Sequence, residues 1–325
     1  MSKKRIGVLT SGGDAAGMNA AIRAVVRTAL ANGWQPYAIR SGFSGLLTGE
    51  ISSLEWRDVS GIIQLGGTVL RSARSQQFML PSAPKMAIAV LEHYEIDGLV
   101  VIGGEGSQRG AHALSTAGFR VVGIPATIDN DLFGTDVALG VDSAVNVALE
   151  AIDRLKITAA SHSRAFIVEV MGRRCGYLAL VAGVAGGAEV VVVPEIDSQP
   201  AAIVGDLHCA YERGHLHAIA VVAEGAHYNA DALLEYFKAH AAEVKFDLRV
   251  TKLGHVQRGG APGAFDRLLG TQFGAAAFDH ISRGQHGVLL GMLGGKLAST
   301  PLQTVIAEKK LLDSELTRLA RILGI

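Results

Sequence analysis

Residues 6–19 read Ile6-Gly7-Val8-Leu9-Thr10 and then Ser11-Gly12-Gly13-Asp14-Ala15-Ala16-Gly17-Met18-Asn19: an apolar run, a glycine loop and the opening of a helix. That order decides the fold. A run apolar nearly throughout is what a strand covered on both faces requires. Glycines after it let the backbone approach an anion closely, and a helix N-terminus adds amide donors and a favourable dipole. Glycines there also serve an ordinary tight turn. The loop lacks G-x-G-x-x-G and the Lys-Ser/Thr ending of a P-loop. The next strand ends at Arg40 and Ser41, where an NAD enzyme needs an acidic residue for the ribose, which argues against an oxidoreductase.

Similar Val- and Ile-rich runs recur at residues 98–102, 120–124, 165–170, 190–193 and 218–223. Between and after them, helical stretches cover residues 19–31, 85–93, 145–159, 230–241, 264–282 and about 313–323. Strand–helix alternation predicts α/β architecture with mostly parallel sheets. At 325 residues the chain is long enough for two such lobes. No linker composition marks their limits.

Lys plus Arg and Asp plus Glu both number 30, so the formal net charge is zero and nothing global favours nucleic acid or a membrane surface. Two cysteines, Cys175 and Cys209, give neither a disulfide framework nor a metal spacing. The apolar run after Lys3-Lys4-Arg5 is too short for a signal peptide. Residues 177–194, interrupted by Glu189, read as a buried helix, a glycine turn and a buried strand rather than a membrane span. A complete, cytoplasmic chain is expected.

In open parallel sheets ligands bind beyond the carboxyl ends of the strands. After the run at 98–102 stands Gly103-Gly104-Glu105-Gly106-Ser107, again opening a helix. Two anion-suited loops in one lobe suggest a polyphosphate. Glu105 is placed either to reach magnesium or to complement the helix dipole. After the run at 120–124 comes Pro125-Ala126-Thr127-Ile128-Asp129-Asn130-Asp131. On an extended segment its two carboxylates would point the same way, one to accept a hydroxyl proton and one to hold magnesium. The second lobe supplies cations: Met171-Gly172-Arg173-Arg174 ends a strand, and Leu253-Gly254-His255-Val256-Gln257-Arg258-Gly259-Gly260 sets a histidine and an arginine beside glycines. Arg164 and Arg249 lie near these segments in sequence, and arginine forks suit phosphate oxygens.

These segments resemble the bacterial-type, ATP-dependent 6-phosphofructokinases. The markers stand in order: S-G-G-D-A-x-G-M-N-A, G-G-T-x-L with Ser72-Ala73-Arg74, G-G-E-G-S, T-I-D-N-D, M-G-R and L-G-H-V-Q-R-G-G. The resemblance covers about residues 5–300. It implies two Rossmann-like three-layer α/β/α lobes: residues 1–138 with about 251–303 for the nucleotide, and 139–250 with about 304–325 for the sugar phosphate.

The resemblance also assigns roles. Asp129 accepts the proton of the fructose 6-phosphate 1-hydroxyl, and Thr127 holds that hydroxyl. Asp131 and Glu105 lie at the metal, Glu105 standing where the family usually has an aspartate. Gly12, Arg74 and Arg173 stabilise the transferring phosphoryl group of ATP, with Ser75, Gly104, Glu105, Gly106 and Ser107 on the nucleotide. Met171, Gly172, Arg173, Glu224, His255 and Arg258 contact the sugar phosphate, and Arg164 and Arg249 reach it from a neighbouring subunit of a homotetramer. Mg2+ and ATP are the expected cofactor and co-substrate.

Several positions depart from the family pattern. Pyrophosphate users tend to carry G-G-D-D-S and P-K-T-I-D-N-D; Gly106 and Ala126 replace the Asp and the Lys, which favours ATP. Positions around the adenine read Ser75, Met79 and Arg109. The effector set keeps Arg23, Arg27, Lys156 and Arg213, with Glu189 able to approach a metal, while Trp56, His215 and Leu216 replace basic residues. Weaker, different or pH-dependent regulation follows. The competing readings are a pyrophosphate-dependent enzyme, a kinase for another sugar phosphate such as sedoheptulose 7-phosphate, a lipid or NAD kinase, and a non-catalytic regulatory subunit.

Overall fold

The computed structural model describes residues 3–73, 75–162, 164–213, 217–240 and 247–324. Along the chain run β1 (Arg5–Ser11), α1 (Met18–Ala31), β2 (Gln35–Ile39), α2 (Gly42–Thr48), β3 (Ile51–Ser53), α3 (Ala83–His93), β4 (Gly98–Gly103), α4 (Glu105–Thr116), β5 (Val121–Pro125) and α5 (Val141–His162). Then follow β6 (Arg164–Val170), α6 (Tyr177–Ala185), β7 (Val190–Val192), α7 (Pro200–Glu212), β8 (Ala218–Ala223), α8 (Ala230–Ala239) and β9 (Asp247–Lys252). Last come α9 (Ala264–Ser282), β10 (Val288–Leu293), β11 (Lys296–Pro301), α10 (Leu302–Ala307) and α11 (Ser314–Leu323). Two compact units form, Met1–Ser143 with Arg258–Lys310 and Ala144–Gln257 with Leu311–Ile325.

The first unit holds a sheet in the order β11-β10-β5-β4-β1-β2-β3. It is parallel from β10 to β2, with antiparallel strands only at its two edges. Leu9, Leu99, Val101 and Val121 pack with residues of α2, α3, α4 and α10 on one face. Strand alternation turns Val8, Val100 and Val122 to the other face, where α1 and α9 lie. Those two helices approach closely because α9 presents glycines. A Cβ at Gly270 would sit 2.7 Å from the Gly17 carbonyl oxygen, and one at Gly274 would sit 2.4 Å from that of Ala21.

The second unit has a parallel sheet in the order β7-β8-β6-β9. Ala165, Ile167, Ala220 and Val222 pack with α7 and α8, and α6 covers the opposite face with α11 against it. The expected sequence of buried helix, glycine turn and buried strand is present as α6, Gly186-Gly187 and β7.

Four strands escaped the sequence reading: β3, β9, β10 and β11. Three are edge strands, with one flank and part of a face in water, so their residues alternate or stay polar instead of forming an apolar run. Asp247-Leu248-Arg249-Val250-Thr251-Lys252 shows that alternation, with Leu248 and Val250 on the core.

Candidate active site

In the first unit three strand ends meet because β1, β4 and β5 are neighbours. The β1 loop turns at Gly12 (φ +85°) and enters α1 through Gly17 (φ +94°), both left-handed conformations that favour glycine. Ser107, in the first turn of α4, donates to the Ser11 carbonyl at 2.9 Å and so ties the second glycine loop to the first. A Cβ on Gly103 would lie 2.4 Å from the same hydroxyl. Gln108, wholly buried, donates to the carbonyls of Gly103 and Ile124 and binds β4 to β5. Ser72 donates to the Gly12 carbonyl at 2.6 Å. The result is a cradle of main-chain amides around two helix N-termini, suited to phosphate oxygens.

Thr127 and Asp129 follow β5 and are 7% and 2% exposed, so Asp129 is a carboxylate largely withdrawn from water. The Asp129 amide donates to the Thr127 hydroxyl at 3.1 Å. One expectation fails here. Asn130 is left-handed (φ +52°), so the chain bends between Asp129 and Asp131, and the two carboxylates are not paired by strand alternation. Asn130 itself fixes the bend, donating to the Asp136 carbonyl and accepting from the Ala138 amide.

Glu105 is exposed and pairs with Arg109 one turn along α4 at 2.6 Å. A side chain at Gly106 would meet nothing within 4 Å. Ser75 accepts from the Phe78 amide at 3.2 Å, and Met79 is exposed. Arg258 belongs to this unit too: it is buried and donates to the Asp14 carbonyl at 2.9 Å. A Cβ on Gly13 would come 2.6 Å from its guanidinium. Arg74 lies outside the described residues, as do His215 and Leu216.

The second unit gathers the carboxyl ends of β8, β6 and β9 side by side. Gly172 has φ +141°, and a Cβ there would stand 2.4 Å from the Cys175 carbonyl oxygen. The Met171 amide donates to the Gln257 side chain at 2.8 Å and the Arg173 amide to Glu224 at 3.0 Å. Arg173 is itself left-handed (φ +52°) and exposed, and His255 is exposed on a short turn, Gly254–Gln257. Met171, Gly172, Arg173, Glu224 and His255 therefore share one end of this sheet.

Arg164 and Arg249 do not. Arg164 is the first residue of β6, six steps before Val170, and a strand of that length spans about 20 Å. Their guanidinium groups converge instead on Asp247, at 3.0 and 2.8 Å from its Oδ2. Neither reaches the Met171–Arg173 loop of its own chain.

The effector set divides between the units. Arg23 and Arg27 stand on α1; burial, and then the charge of Arg27, hold the Arg23 guanidinium below its ordinary pKa. Arg27 lies over the Trp56 ring at 5.8 Å. In the second unit Lys156 donates to the Gly187 carbonyl at 2.9 Å, and Glu189 accepts from the Ile219 amide at 2.6 Å. Arg213 follows the end of α7.

Sequence reasoning missed three supports of these loops, two of them, Asn19 and Asp266, buried. Asn19 holds the 65–69 segment, donating to Leu65 and Gly66 and accepting from Val69. Glu195 accepts from the Gly176 amide. Asp266 accepts from the amides of Gly140 and Ser143 and from the Ser143 hydroxyl. A polar residue inside an otherwise apolar helix face was the available signal for Asn19.

Each unit carries glycine-bearing loops at the carboxyl end of its parallel sheet, held by side-chain hydrogen bonds within that unit and accompanied by arginines, features of an α/β protein built to handle phosphate groups. A model of the phosphofructokinase family matches residues 5–281. The chain is 50% identical over 324 residues to the ATP-dependent 6-phosphofructokinase 1 of Thermus thermophilus, covering 99% of this chain and 100% of that one. It is 47% identical over 322 residues to the ATP-dependent 6-phosphofructokinase of Halalkalibacterium halodurans, with coverages of 99% and 100%. Among solved structures, Pichia pastoris phosphofructokinase in the T-state superposes with a TM-score of 0.88 at 37% identity, over 94% of this chain and 36% of that chain. The chain belongs to the phosphofructokinase family.

Proposed function

We propose that this protein is an ATP-dependent 6-phosphofructokinase, transferring the γ-phosphoryl group of ATP to the 1-hydroxyl of fructose 6-phosphate to give fructose 1,6-bisphosphate and ADP. One observation carries the reading: 50% identity to an ATP-dependent 6-phosphofructokinase over 99% of the chain. The open space at Gly106 supports the choice of donor, since a carboxylate there would enter the room an α-phosphate needs.

Asp129, withdrawn from water, accepts the proton of the 1-hydroxyl as its oxygen attacks the γ-phosphorus, and Thr127 orients that hydroxyl. The bond from the γ-phosphorus to the β,γ-bridging oxygen breaks, and ADP leaves with the electron pair. Charge on the transferring group is met by the Gly12 amide, Arg173 and Arg74, positioned donors that suit a loose transition state. Ser75, Gly104, Gly106 and Ser107 line the nucleotide. Met171, Gly172, Glu224, His255 and Arg258 hold the sugar phosphate. Arg164 and Arg249, which pair with Asp247 away from that loop, are assigned to the sugar phosphate of a neighbouring copy in a homotetramer, as the family resemblance implies.

Among the described residues no cluster of three metal-ligating side chains occurs, and a magnesium–nucleotide site does not require one. Glu105 and Asp131 offer hard carboxylate oxygens, and the exposed pairing of Glu105 with Arg109 is weak enough to yield. These two residues would hold Mg2+, which when bound neutralises charge on the nucleotide phosphates. Arg23 and Arg27 of the first unit and Lys156, Glu189 and Arg213 of the second are assigned to binding an anionic effector between subunits, as the resemblance to regulated relatives implies. Among the described residues no helix is long and apolar enough to cross a membrane.

The test is turnover of fructose 6-phosphate with magnesium and ATP, GTP or pyrophosphate, coupled to aldolase. ATP-dependent turnover is expected. Turnover with pyrophosphate alone would overturn the donor, and no turnover with any donor would overturn the acceptor or the activity.

A further inference from the structure

Strand register places Asp247 opposite Arg164 on parallel neighbours β9 and β6, with Arg249 two residues further along β9 and therefore on the same face. One carboxylate oxygen consequently receives two guanidinium groups, at 3.0 Å from Arg164 Nε and 2.8 Å from Arg249 Nη2. All three side chains keep between a third and about half of their surface in water, at 34%, 54% and 45% for Arg164, Arg249 and Asp247. The cluster carries two positive charges and one negative. It lies at the amino end of its strands, away from the Met171–Arg173 loop.

We infer that Asp247 is a counter-charge that occupies the arginine pair until a phosphate group displaces it, and so sets the affinity for the phosphorylated acceptor. This rests on the proposed role of Arg164 and Arg249 in binding the sugar phosphate. Both guanidinium groups lie within ion-pair distance of one oxygen, yet the Arg164 Nε–H makes no hydrogen bond to it, so a phosphate oxygen, with more charge, can claim donors that the carboxylate holds only loosely. The incoming dianion must take those donors from the carboxylate and then lie beside a like charge. Repulsion between a unit charge and a dianion about 6 Å apart is worth roughly tenfold in an equilibrium constant at water-like dielectric, and screening by salt reduces it to several-fold. Asp247 is thus a positioning residue that keeps binding of the substrate weak and reversible, and it takes no part in the chemical step.

Asp247→Asn separates charge from shape, because the amide keeps the size of the carboxylate beside the arginines while the negative charge is gone. The full-length enzyme is assayed by varying fructose 6-phosphate at several salt concentrations, with inorganic phosphate as a competing anion. For Asp247→Asn the expected result is a KM lowered about 3- to 10-fold with kcat nearly unchanged, a matching fall in the inhibition constant of phosphate, and a steeper rise of KM with salt. A purely structural carboxylate would leave the salt dependence unmoved. Arg164→Ala is measured alongside and should raise KM. If Arg164→Ala leaves KM unchanged, the arginine assignment fails and the inference falls with it. If Arg164→Ala raises KM while Asp247→Asn leaves it equal to or above wild type, the arginines bind the substrate and the counter-charge role is refuted.

Discussion

Asp266 offers a direct test of how the first unit holds its loops. The residue is 0% exposed, yet its two oxygens take three donors: the Gly140 amide at 2.8 Å, the Ser143 amide at 3.0 Å and the Ser143 hydroxyl at 2.6 Å. Its backbone lies against Gly17, so it also supports the end of the first glycine loop. Asp266→Ala orphans two buried amides, each costing about 1–3 kcal/mol. The burial that lifts the Asp266 carboxyl above its ordinary pKa of 3.8 disfavours its charge and offsets part of that loss, which points to the low end of the range, about 2–3 kcal/mol in total. For a unit of about 200 residues this lowers Tm by roughly 5–10 °C, measurable by calorimetry.

Asp266→Asn isolates the charge. An acid with a raised folded-state pKa binds more protons folded than unfolded, so its contribution to stability is full below 3.8 and is lost as pH rises through the raised value. The Asn variant lacks that slope, and wild type should gain on it as pH falls through that window. An Ala variant melting within about 2 °C of wild type would refute the capping argument. A constant gap between wild type and Asn across the window would refute the electrostatic part.

Three further outcomes follow from the site. Asp129→Ser should lower kcat by about 10²- to 10⁴-fold while fructose 6-phosphate binding, followed by calorimetry, stays within a few-fold; surviving turnover would remove Asp129 as the base. Gly172→Ala meets both a left-handed backbone (φ +141°) and the Cys175 carbonyl 2.4 Å away, so the KM for the sugar phosphate should rise about tenfold or more. Gly106→Asp enters open space, so the enzyme should fold with unchanged Tm while its KM for ATP rises about tenfold, and an unchanged KM would sink the α-phosphate argument.

The fold class was legible because the central strands are buried on both faces. β1, β4, β5, β6 and β8 cannot be built without continuous apolar runs, and those runs stand out in the sequence. β10 and β11 were missed despite a readable turn, Gly294-Gly295 at φ +57° and +75°, because half of the hairpin faces water and its pattern fades. The loop after β5 was misread in its geometry: strand alternation was carried past the end of β5, where Asn130 breaks it.

The supports of the loops were the least legible part, and the reason is physical. A glycine announces itself locally, since a tight turn or a close backbone approach is needed where it stands. The side chain that holds the loop is chosen by a partner far away in sequence. Gln257 accepts from Met171 across 86 residues, Ser107 donates to Ser11 across 96, and Asp266 receives Gly140 across 126. Each is an ordinary polar residue in its own neighbourhood, and only burial beside a main-chain group reveals what it does. The same supports appear in both units at the carboxyl ends of neighbouring parallel strands, where the main chain leaves the sheet with amides unpaired. There Gln257 and Glu224 accept from loop amides, while Ser107 and Ser72 donate to loop carbonyls. Loss of a support should therefore weaken anion binding before it unfolds the unit, since the loop has less holding it than the sheet beneath.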